Sequence, residues 1–162
     1  MNLFELYYYL YKKQNMSKVA AYYHIVFCTK RREMTIPSQY KEDVYRFIWR
    51  IITDAKCRLI RIGGVQNHIH ILLDLHPTMT LSGLVQSIKS LSSGWMRNDS
   101  RFRNFEGWAA GYFASTISPD ARLRIIEYIK SQELHHQSHH IDDEVRFLYR
   151  AADIDYDDRD MR

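Results

Sequence analysis

The sequence predicts an α+β fold, a ferredoxin-like antiparallel sheet in the order β-α-β-β-α-β, with helices on one face and a further helix C-terminal to it. Three observations predict it. Period-2 runs over 22–29, 57–62, 65–75 and 108–117 read as four strands. Apolar residues at helical spacing fill the first and third gaps between them. Gly63-Gly64 leaves room only for a tight turn between strands two and three.

Each element has its own signal. Tyr22-Tyr23-His24-Ile25-Val26-Phe27-Cys28-Thr29 is aromatic and β-branched, and Lys30-Arg31-Arg32 ends it. Pro37-Ser38 opens a helix whose stripe is Tyr40, Val44, Phe47, Ile48, Ile51 and Ile52. The second helix begins at a Thr80 or Ser82 cap and buries Leu81, Leu84, Val85, Ile88 and Leu91. Residues 97–107 are polar, basic and aromatic, which reads as a loop. Ser118-Pro119-Asp120 supplies a serine cap, a first-turn proline and an early acid for a helix running to about Gln137. A short helix near 142–150 and an acidic end follow. The expected organisation is an N-terminal extension over 1–15, a catalytic domain over 16–140 and an acidic tail over 141–162. Residues 1–15 read as an extension ahead of a second start at Met16, or as a docking helix at an oligomer interface.

Composition narrows the class. A chain of 162 residues, 46% hydrophobic, suits one domain with a real core. Two cysteines without a Cys-x-x-Cys pair argue against a disulfide framework and fit a reducing, cytoplasmic setting. No apolar run approaches the ~20 residues of a membrane span. The net charge of +4 is unevenly placed. Residues 141–162 hold four basic and eight acidic side chains, a balance of −4, so the other 140 carry +8. A basic body suits a polyanionic partner.

Asn67-His68-Ile69-His70-Ile71-Leu72-Leu73 carries the chemistry. Alternation sends His68 and His70 to one face of a strand, and Ile69, Ile71 and Leu73 to the other. Two neutral imidazoles so placed can share one divalent cation. Taken alone, the pattern favours two histidines on a solvated face, because a metal site needs more than two ligands. Tyr128 and Gln132 lie four apart and share a helix face. The Gln132 amide oxygen is a candidate third ligand, which leaves the Tyr128 phenol a candidate nucleophile toward a phosphate at the same ion. Glu133-Leu134-His135-His136-Gln137-Ser138-His139-His140 resembles a metal tract, but reads better as a solvated helix end. Lys30, Arg31, Arg32, Lys89, Arg97, Arg101 and Arg103 are candidate phosphate contacts, and Tyr22, Trp95, Phe102 and Trp108 candidate stacking platforms.

Taken together, these stretches resemble the single-tyrosine HUH transposases of the insertion-sequence-200-like family, from about Lys18 to Asp158. The likeness runs through Tyr23–Arg32, Gly63–Leu72, Leu84–Ser93, Gly111–Ser115, Ile126–His136 and Asp153–Asp157, in order. There are two departures, and the extension at 1–15 is the lesser. The family's fourth strand usually begins with Trp, a polar and an acidic residue before Gly-Tyr, whereas this chain reads Trp108-Ala109-Ala110-Gly111-Tyr112. The resemblance implies that His68, His70 and Gln132 hold Mg²⁺ or Mn²⁺ and that Tyr128 forms a 5′-phosphotyrosine. It also implies a homodimer acting on single-stranded DNA with hairpin ends, its tyrosine helix serving either its own or its partner's histidines. The competing expectations are a domesticated relative that binds DNA hairpins without moving DNA, a plain RNA-binding module and a zinc hydrolase using the histidine tract.

Overall fold

A computed structural model describes residues 5–6, 18–132, 141–157 and 159–161. The expected extension at 1–15 lies almost wholly outside the described residues, as does the tract holding His135, His136, His139 and His140.

Four strands form one antiparallel sheet, β1 (Tyr22–Cys28), β2 (Arg58–Val65), β3 (His68–Asp74) and β4 (Phe113–Thr116). Their order is β2-β3-β1-β4, so the two central strands are β3 and β1. Helices α1 (Lys41–Asp54) and α2 (Leu81–Arg97) cover one face. There Ile25, Phe27, Ile69, Ile71 and Leu73 from the sheet meet Val44, Ile48, Ile52, Leu84, Val85 and Ile88. These side chains alternate along the strands as a half-buried strand requires, and burying them is the main favourable term of the fold. The two cysteines are free and buried.

The opposite face receives α3 (Arg122–Lys130) and α4 (Ile141–Ala151). Val26, Cys28, Ala109 and Phe113 pack under Ile141, Val145, Leu148 and Tyr149 of α4. The segment read from sequence as an acidic tail therefore holds a helix docked on the sheet. Buried Arg32 fastens it, pairing with Asp142 and donating to the Asp160 carbonyl. Ala109 is buried in this cluster.

Several boundaries differ from expectation for identifiable reasons. The β2–β3 turn falls at Gln66-Asn67, and Gly63-Gly64 lie inside β2. Gly63 is there for close approach: a Cβ would stand 2.8 Å from Ile129 Cγ2 and 2.9 Å from the Ile129 carbonyl oxygen of α3. The fourth strand touches β1 at Trp108, which bridges to Thr29, but runs continuously only from Phe113; between them the Ala109 and Gly111 carbonyls accept from Lys89 Nζ at 2.7 Å each. Gly111 turns the chain there with φ at 75°. Thr80 caps α2 through Gly83 N–H as expected, but Leu91 is 54% exposed and the buried stripe passes instead through Ser92 to Met96. Ser118 does not cap α3, which starts after a turn at Arg122 and ends at Lys130.

Candidate metal and nucleophile centre

β3 sets the centre by alternation. His68 and His70 both have no solvent exposure and face α3 and α4. Their ring centroids lie 4.9 Å apart. Each ring is held from behind through Nδ1. His68 Nδ1 donates to Asn67 Oδ1 at 2.8 Å, and Asn67 Nδ2 donates to the Arg32 carbonyl at 3.2 Å. In that amide orientation Asn67 Oδ1 accepts from Nδ1–H, so the neutral ring turns its Nε2 lone pair to the site. His70 Nδ1 lies 3.0 Å from His24 Nε2 on β1. Burial and the neighbouring His70 push the His24 pKa down to about 3, so His24 stays neutral. His70 Nε2 is buried with no hydrogen-bond partner among the described residues.

Helix α3 brings the phenol. The Tyr128 ring centroid lies 5.6 Å from that of His70 and 6.2 Å from that of His24, in the same chain. Gly63 makes this possible by letting Ile129 sit against β2. Gln132, just past the helix end, is 1% exposed, with Oε1 3.2 Å from His68 Nε2. The structure thus gathers His68, His70, Gln132 and Tyr128 into one pocket.

A fifth member was not singled out from the sequence. Glu144 of α4 enters the same pocket with a carboxylate 8% exposed. Its Oε1 lies 3.2 Å from His70 Nε2, and its Oε2 lies 3.5 Å from His68 Nε2. The Tyr128 hydroxyl donates to Oε1, as does Gln132 Nε2 at 3.0 Å. Burial first, and the Glu144 charge second, push the Tyr128 pKa far above the ordinary phenol range. A signal for Glu144 did exist. Ile141, Glu144, Val145, Leu148 and Tyr149 follow i, i+3, i+4, i+7, i+8, so one acid occupies an apolar stripe. His24 was equally hidden, because only the strand register places it beside His70.

The two imidazole nitrogens, the amide oxygen and the carboxylate form a mixed N/O donor set that fits a divalent cation. His70 Nε2, fully buried and without a hydrogen bond among the described residues, is the observation that most needs one.

The basic and aromatic candidates divide differently. Lys30, Lys89 and Arg97 line a groove of about 680 Å³ between α2 and the 106–112 loop, with Glu106 and Trp108. Lys30 and Arg31 pair with Glu106 at 3.4 and 3.0 Å. Arg32, expected as a phosphate contact, is instead committed to anchoring α4. Arg101 pairs with Asp43 and Asp99, and Arg103 is exposed. The stacking candidates are largely internal. Phe102 is 1% exposed, Trp95 stacks on Phe47, Trp108 donates to Ser92 Oγ, and Tyr22 lies under Arg122. No helix among the described residues is long and apolar enough to cross a membrane.

The sheet face beneath α3 and α4 carries a His-hydrophobic-His strand opposite a tyrosine helix, an arrangement of the HUH kind. The family model "Transposase IS200 like" matches residues 17–132, and the chain belongs to the IS200-like transposase family, whose members are enzymes acting on DNA. It is 28% identical over 115 residues to the transposase of insertion sequence element IS200 of Salmonella typhimurium, covering 68% of this chain and 75% of that one. It is 23% identical over 115 residues to the ISDra2 transposase TnpA of Deinococcus radiodurans, covering 68% and 82%. The fold resembles a protein of Deinococcus radiodurans R1 provisionally described as a transposase, with a TM-score of 0.58, 21% identity and coverage of 73% and 95%. It also resembles a REP-associated tyrosine transposase solved bound to a REP hairpin, with a TM-score of 0.56, 15% identity and coverage of 76% and 72%.

Proposed function

We propose that this transposase cleaves and rejoins single-stranded DNA through a 5′-phosphotyrosine on Tyr128, as a homodimer that recognises DNA hairpins. The observation that carries this is the Tyr128 hydroxyl held inside the same pocket as His68, His70 and Gln132. His68, His70 and Gln132 would hold Mg²⁺ or Mn²⁺. When bound, such an ion neutralises phosphate charge and favours the phenolate.

The chain's own residues do the rest. Asn67 and His24 orient the two imidazoles from behind. Glu144 orients the phenol by accepting its proton in a hydrogen bond. Tyr128 Oη attacks the scissile phosphorus. The new bond joins Oη to phosphorus, the phenol proton leaves, and the departing 3′-oxygen takes up a proton as a free hydroxyl. The phosphodiester energy stays in the phosphotyrosine, so a later 3′-hydroxyl can reverse the step and join new ends. Lys30 and Arg97 supply phosphate contacts along the α2 groove, whereas the Lys89 ammonium is engaged by the Ala109 and Gly111 carbonyls.

The test is incubation of the full chain with single-stranded hairpin DNA and Mn²⁺, followed by denaturing electrophoresis. The expected result is a covalent protein–DNA adduct that Tyr128→Phe abolishes while hairpin binding persists. Hairpin binding with no adduct under saturating Mn²⁺ would instead support the domesticated, non-transposing relative.

A further inference from the structure

We propose that Glu144 of α4 is a ligand of the centre's metal, making the set His68, His70, Glu144 and Gln132. The inference rests on the reading above that a divalent cation binds there, and extends it to a helix beyond the stretch that the family model matches.

Three observations carry it. First, one ligand atom from each of His68, His70 and Glu144 lies within 4.8 Å of the others, the spacing of donors around a single ion. Second, the atoms that meet are acceptors. A neutral His68 with its proton on Nδ1 presents a lone pair at Nε2, and that nitrogen lies 3.2 Å from Gln132 Oε1 and 3.5 Å from Glu144 Oε2. Reversing the Gln132 amide does not help, because its oxygen would then face Glu144 Oε1 and the Tyr128 carbonyl, to which Nε2 now donates at 3.0 and 3.5 Å. Acceptors so close repel unless positive charge lies among them. Third, His70 Nε2 is wholly buried without a hydrogen bond among the described residues, and Glu144 Oε1 lies 3.2 Å away. A buried imidazole nitrogen beside a carboxylate, with no hydrogen bond aligned between them, is satisfied when both coordinate one ion.

The placement of Glu144 is built into the helix. Ile141, Val145, Leu148 and Tyr149 seat α4 on the sheet, Arg32 locks its first turn through Asp142, and Glu144 therefore projects where an apolar side chain would otherwise pack. A carboxylate beside two imidazoles lowers the net charge of a dication, holds it more tightly and favours hard ions such as Mn²⁺. Residues 141–151 then belong to the working centre.

The experiment is Mn²⁺ titration of the full chain without DNA, read by the electron paramagnetic resonance signal of the free ion. Wild type, His68→Ala, Glu144→Gln and Glu144→Met are compared, with circular dichroism to confirm folding. Glu144→Met matches the apolar stripe and removes every hard donor, so a folded variant is expected even where Glu144→Gln is perturbed. Expected is one site in the wild type, weakened about 10- to 100-fold or more in His68→Ala and in both Glu144 variants, the range that loss of even an outer-shell partner produces. Wild-type affinity in folded Glu144→Met with loss in His68→Ala would overturn the Glu144 assignment and leave the metal reading standing. No Mn²⁺ binding by the wild type would overturn both.

Discussion

The two faces of β3 are made of neighbouring residues and obey different rules. Ile69 and Ile71 point into an apolar layer that α1 and α2 complete. His68 and His70, one residue away each, point into a pocket whose other walls are an amide, a phenol and a carboxylate. The first face is satisfied by exclusion of water alone. The second is satisfied only through specific partners, because buried polar groups without them are destabilising. Substitutions on the two faces should therefore fail differently: through stability on one, through chemistry on the other.

The largest expected effect is on the polar face. Tyr128→Phe should remove covalent DNA attachment completely while shifting the urea midpoint little. An adduct surviving in Tyr128→Phe would break the comparison at its centre. The opposite behaviour is expected across the strand. Ile71→Ala should destabilise by about 2–5 kcal/mol in urea denaturation, and the fraction still folded should retain Mn²⁺ binding.

Gly63→Val tests the join between the two faces. Its side chain would meet Ile129, whose Cγ2 lies 2.8 Å from the first added carbon. Pushing α3 away should cost about 1–3 kcal/mol of stability and a larger share of DNA cleavage, since Tyr128 rides on that helix.

Acid sharpens the contrast further. His24 has a pKa of about 3 when folded, against 6.5 for the ordinary side chain. Between those values the unfolded chain binds the proton and the folded one does not, so stability falls as pH drops from about 6.5 towards 3. The slope from this group is at most about 1.4 kcal/mol per pH unit. His24→Gln should flatten the stability–pH curve in that window, and an unchanged curve would contradict the assignment. The smallest effect belongs to the groove. Arg97→Ala should weaken hairpin binding modestly and lower its salt slope by about 1.

Much of this contrast was legible in the residues. Period-2 alternation puts His68 and His70 on one face and Ile69 and Ile71 on the other, and the four-residue spacing brings Tyr128 and Gln132 together. What stayed hidden depends on tertiary neighbours. His24 gains meaning only from the β1–β3 register, where Val26 sits opposite His70. Glu144 follows Asp142 and Asp143 in the first turn of α4, where acids ordinarily answer the helix dipole. Gly63-Gly64 read as a turn because glycine's backbone freedom and its lack of a side chain look alike in sequence. Here the second matters, since Ile129 occupies the space. Arg32 read as a DNA contact because sequence does not distinguish an exposed cation from one buried against Asp142.

The central claim is that the polar face of β3 is organised around one cation. Anomalous diffraction from crystals grown with Mn²⁺ tests it most directly. The account predicts one strong peak between His68 Nε2 and His70 Nε2, within bonding distance of both. A peak only at the histidines of 135–140, or none at the β3 pair with Mn²⁺ saturating, would contradict it.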